Sequence, residues 1–94
     1  MACIKRLVLD VLKPHHPNAL DFAAALADQG KNTRIKLSVA EVDEKTESVI
    51  LVIDGEDIDF GAISEHIAAL GGSVHSIDEV EVVSRTKTGS DSTS

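Results

Sequence analysis

Two stretches of this chain are apolar on both faces when read with a period of two. In residues 3–12, Leu7, Leu9 and Val11 alternate on one side, and Ile4, Val8 and Leu12 on the other. In residues 46–54, Val49, Leu51 and Ile53 fall on one side and Ile50 and Val52 on the other. Strands with two apolar faces belong in the middle of a sheet. Thr33 to Val42 differs, because Ile35, Leu37 and Val39 alternate with Arg34, Lys36 and Ser38. That clean alternation is the pattern of an edge strand with one wet face. A fourth strand is read from Ser73 to Val83.

Two helical stretches lie between these strands. Lys13 to Pro17, with two prolines, breaks the first strand. Asn18 then caps a helix running to about Gln29, and Gly30 ends it. Its expected buried stripe is Leu20, Ala23, Leu26 and Ala27. Asp57 or Asp59 caps a second helix reaching Leu70, with Phe60, Ile63, Ile67 and Leu70 as the core stripe and Gly71-Gly72 as the stop. The order is βαββαβ. Right-handed crossovers then favour an α+β, ferredoxin-like fold: a four-stranded antiparallel sheet in order 4-1-3-2 with both helices on one face. In that topology the central strands are the first and third, the two whose sequence is apolar on both faces.

The length of 94 residues fits one domain, expected over residues 1–83, with a Ser/Thr-rich tail at 84–94 read as disordered. Only Phe22 and Phe60 are aromatic, so Val, Ile, Leu and Ala must build the core. The central strands carry no aromatic on which a base could stack, and the net charge of -7 disfavours nucleic acid. No apolar run reaches the ~20 residues of a membrane span, and no signal peptide opens the chain. The expected setting is therefore cytoplasmic. Cys3 is the single cysteine, which excludes an internal disulfide and a Cys-x-x-Cys metal site; a small buried or strand-end residue is the expected role.

Three stretches carry a family resemblance. They are Leu9 to His15, Val52 to Phe60 and Gly71 to Val80. Together they resemble a small uncharacterised family known mainly from archaea, over residues 3–83. The resemblance implies a ferredoxin-like fold and a ring-shaped homo-oligomer. It implies no activity and offers no catalytic residues.

Charge is divided along the chain. Thr46 to Ser84 contains no Lys or Arg but nine acids, whereas seven of the nine bases precede it. The segment Asp54, Glu56, Asp57 and Asp59 is the candidate metal site, since clustered carboxylates on a loop suit Ca²⁺ or Mg²⁺. Glu65 stands where a calcium loop places its last ligand, but Asp59 occupies the position that motif gives to glycine. Helix capping and a solvated acidic loop account for the same residues. His15, His16, His66 and His75 are scattered, so one metal would need them gathered across subunits. No Gly-rich phosphate loop and no local nucleophile motif is present, so no catalytic residue is assigned.

The reading is a non-catalytic, self-assembling module that binds a small ligand or a divalent cation. A small enzyme with its site at subunit junctions and a purely structural oligomer are the alternatives. The apolar outer face of the central strands and the divided charge point to a cyclic homo-oligomer larger than a dimer.

Overall fold

The computed structural model of the chain describes residues 2–30 and 32–84. Its elements are β1 (Ala2–Pro14), α1 (Ala19–Gln29), β2 (Arg34–Val42), β3 (Thr46–Asp54), α2 (Phe60–Ala69) and β4 (Ser73–Ser84). The strands form one antiparallel sheet in the order β2-β3-β1-β4, which is the expected 4-1-3-2 read from the other edge. The ferredoxin-like reading therefore holds, with β1 and β3 central. β4 ends one residue beyond the expected Val83; the remainder of the expected tail lies outside the described residues.

One face of the sheet makes the core. Leu7, Leu9 and Val11 of β1 and Val49, Leu51 and Ile53 of β3 are fully buried against Phe22 and Leu26 of α1 and Ile63 and Ile67 of α2. Such aliphatic burial stabilises by ~25 cal/mol per Å² removed from water. Asn18 caps α1, its side chain accepting from the Asp21 amide. Asp59, one of the two expected caps, does the same for Ala62 in α2. Gly71 has φ +90°, where a β-carbon is strained. Gly72 sits so close to the Leu12 carbonyl, Ile67 and Phe22 that a β-carbon would lie 3.0–3.3 Å from them.

The structure changes three expectations. Leu20, placed in the α1 stripe, is 76% exposed, and Phe22 is buried instead. Helix spacing alone fits either choice; the larger aromatic wins because it fills the space between the helices and the sheet. Ile4, grouped by alternation with Val8 and Leu12, packs on the core side. The cause is a bulge: Ile4 faces Val82 and Arg6 faces Glu81, so Lys5 has no partner on β4 and the alternation changes phase. Finally, β1 does not break at Lys13. It continues through Pro14, which pairs with Thr46, and buries Lys13 completely.

Candidate functional site

Three places gather chemistry. The first is the loop between β3 and α2. Its backbone is tied to β1 by bonds from the Gly55 amide to the Lys5 carbonyl (3.0 Å) and from the Ile58 amide to the Ile4 carbonyl (2.9 Å). Of the four predicted carboxylates, Asp54 turns to the sheet face, while Glu56, Asp57 and Asp59 share one cleft. Asp54 accepts from Arg6 Nη1 at 3.0 Å. Glu56 meets Lys5 Nζ at 3.2 Å. Asp59 is spent on the helix cap, 3.1 Å from the Ala62 amide. Asp57 lines a cleft of about 430 Å³ with Glu56 and Asp59, opposite Gln29 and Asn32 at the end of α1. Ile58 and Ile63 are its apolar lining, and His66 also faces it. Asp54 is not part of that cleft. Among the described residues no group of three or more His, Cys, Asp and Glu side chains is placed to hold a metal ion.

The second place lies at the opposite end of β1. Lys13 Nζ donates to the Pro14 carbonyl (2.8 Å) and to Glu47 Oε1 (3.1 Å), and stands 5.8 Å from the centre of the Phe22 ring. Glu47 Oε2 lies 3.0 Å from His15 Nδ1, and His15 Nε2 lies 3.0 Å from the Glu44 carbonyl. The hydrogen bond with His15, then the one from Lys13, holds the Glu47 carboxyl below its ordinary range. The bond to Glu47, then the Glu44 carbonyl, raises the His15 imidazole above its ordinary 6.5. This network was not anticipated in the sequence. The signal was present: Lys13 continues the in-facing series Leu7, Leu9, Val11 at steps of two.

The third place is the open sheet face. Reading across the four strands in register gives rows of side chains. One is Arg34, Asp54, Arg6, Glu81; the next is Lys36, Val52, Val8, Glu79. A third is Ser38, Ile50, Asp10, Ser76. Arg6 joins its neighbours, with Nε 3.1 Å from Glu79 Oε2 as well as its bond to Asp54. The charge of Asp54 is the main influence that raises the Arg6 guanidinium above its ordinary value. The β2 edge of this face is thus basic and the β4 edge acidic. His75, near the start of β4, opposes no residue of β1 and lines a groove on this face with Asp10, Leu12 and Ser48. His16 is exposed in the β1–α1 connection. Cys3 is buried in β1. No helix among the described residues is long and apolar enough to cross a membrane.

The sequence comparisons agree with the stretches that carried the resemblance. The chain is similar to a protein of Methanocaldococcus jannaschii called Uncharacterized protein MJ0319, with 46% identity over 77 residues, covering 82% of this chain and 79% of the relative. A family model, DUF211, described as Uncharacterized ArCR, matches residues 5–91. With nearly the whole fold inside that match, the chain belongs to the DUF211 family.

Proposed function

We propose that this domain is a self-assembling binding module in which β4 of one copy pairs with β2 of the next. The observation that carries the reading is the opposite charge of the two free sheet edges. The row Arg34, Asp54, Arg6, Glu81 alternates in sign. A second copy placed edge to edge continues the alternation, with Glu81 beside the next Arg34 and Glu79 beside the next Lys36. Direction agrees as well. Every neighbouring pair in the sheet is antiparallel, so β2 and β4 run oppositely and join as an antiparallel pair. On the core side, the same register sets Val80 beside Ile35. Val80 is 51% exposed in the single chain, so the junction also covers apolar surface. The contact joins two different surfaces and is heterologous, so it either closes into a ring or runs on as a filament, and the reading takes the ring, larger than a dimer.

The ligand half of the reading rests on the cleft between the end of α1 and the acidic loop. It offers an apolar lining beside carboxylates and amides, the make-up of a small-ligand site, and its carboxylates are the groups a divalent cation would have to draw together.

Sedimentation velocity in low salt tests the assembly. The wild-type chain is expected to sediment as one oligomer. Arg34→Glu with Lys36→Glu is expected to dissociate it while leaving the subunit folded, and adding Glu79→Lys with Glu81→Lys to restore association. Cysteines at positions 80 and 35, with Cys3 replaced by Ala, should cross-link between copies, because opposed residues of antiparallel strands bring their Cα atoms within disulfide reach. A monomer at tens of micromolar overturns the reading. For the cleft, millimolar Ca²⁺ or Mg²⁺ should raise the melting temperature of the wild type and not of Asp57→Asn, since a ligand stabilises the state it binds. An unchanged wild-type melting curve removes the cation.

A further inference from the structure

His15 is placed between a carboxylate on one side and the backbone of the β2–β3 turn, at Glu44 and Asp43, on the other. Its Nδ1 is 3.0 Å from a carboxylate oxygen of Glu47 on β3, and its Nε2 is 3.0 Å from the carbonyl of Glu44 in the β2–β3 turn. A carbonyl oxygen cannot donate. Glu47 accepts from the buried Lys13 ammonium through its other oxygen, so it stands as a carboxylate. A neutral imidazole has one N–H and one lone pair, so it satisfies only one of the two contacts and turns its lone pair on the other oxygen. Only the imidazolium makes both. The arrangement thus selects a protonation state through geometry.

We propose that His15 is a proton-operated latch: charged, it ties the β1–α1 connection to the β2–β3 turn, and neutral, it releases one of the two contacts. The elements around it are accounted for. β3 contributes Glu47, β1 contributes Lys13 through their shared carboxylate, and the turn, whose charged residues are Asp43, Glu44 and Lys45, meets the ring through its backbone. His16 is its neighbour in the connection. Lys13 has its own second acceptor in the Pro14 carbonyl, so Glu47 stays anchored when the imidazole loses its proton. The turn meets His15 through backbone groups alone, the Glu44 carbonyl and beside it the Asp43 backbone. Its closing bond, from the Asp43 amide to the Thr46 carbonyl at 2.8 Å, is the natural reporter of whether it is held. The turn also terminates β2, so the latch governs the order of the end of that strand away from Arg34 and Lys36. The inference stands on contacts within one chain and is independent of assembly.

The test is hydrogen exchange read by NMR on the full chain, with a parallel titration of the His15 ring. The His15 midpoint is expected above 6.5. Across that midpoint, the protection factor of the Asp43 amide is expected to fall about tenfold, the scale of losing one hydrogen bond to a charged group. In His15→Gln, protection of Asp43 should be low at all pH values and match the high-pH wild type. A His15 midpoint at or below 6.5 overturns the proposal. So does Asp43 protection that is independent of pH in the wild type, or that keeps its pH dependence in His15→Gln.

Discussion

Glu47 and the acidic loop at 54–59 are both rich in negative charge by sequence, yet the fold uses them differently. Glu47 follows Glu41, Asp43 and Glu44 in sequence, yet it is the acid on which Lys13 and, when protonated, His15 converge. The loop holds four carboxylates in six residues: Asp54 pairs on the sheet face, and Glu56, Asp57 and Asp59 share a cleft, where Glu56 also pairs with Lys5 and Asp59 caps α2. Density along the chain is therefore a poor guide to where electrostatics organises structure. What decides is whether partners are buried with the acid. Lys13 has no exposed side-chain surface, whereas the side chain of Glu56 is 82% exposed beside Lys5.

That contrast is broken most directly at Glu47. Glu47→Ala strands the buried Lys13 ammonium with a single carbonyl, and the melting temperature is expected to fall by roughly 10–20 °C. Calorimetry checks this, and Lys13→Met, which removes the stranded charge and keeps the apolar stem over Phe22, should recover much of the loss in the double variant. A loss of only a degree or two would put Glu47 on a level with the loop. Asp59→Ala comes next: it removes a helix cap and is expected to cost about 1 kcal/mol, a fall of roughly 4–8 °C. Glu56→Ala is smallest, with a change of about 2 °C or less, because exposed pairs contribute little.

A pH series sharpens the same comparison. Glu47 has a lowered pKa, so its stabilisation is present above 4.5 and is lost as pH falls through its folded value. His15 has a raised pKa, so its stabilisation is complete below 6.5 and is lost as pH rises through its folded value. Their joint contribution is therefore greatest between about 4.5 and 6.5. His15→Gln should flatten the alkaline side of the melting-temperature profile and leave loss on the acid side.

Much of the fold was legible because it rests on alternation. β1 and β3 read as central since both their faces are apolar, and β2 read as an edge since Arg34, Lys36 and Ser38 alternate with apolar residues. The cap at Asp59 and the stop at Gly71 follow from local backbone chemistry. The misses share a cause: they depend on a neighbour distant in sequence. Phe22 displaces Leu20 because of the shape of the space under α1. Ile4 changes side because Lys5 bulges against β4. Lys13 reads as a strand terminator because a buried ammonium makes no sense until Glu47, 34 residues on, lies beside it. The acidic loop was found as a segment, but its division of labour was not legible, since Lys5 and Arg6 come from the other end of the chain.

Because Ala2 pairs with Ser84 and Leu7 with Val80, one whole side of β1 waits for the far end of the chain. The β2–β3 hairpin closes locally, with Val42 opposite Glu47, and β1 can join β3 over a moderate loop. β4 is made last and must close the longest loop, the kind of pairing that slows folding. During synthesis β1 therefore offers a bare apolar edge while its partner strand is still unmade. Another copy's β4 has the same residues and the same register, so it fits that edge as well as the chain's own. Strand exchange between copies is thus the misassembly this topology invites, and crowded refolding is where it should surface first.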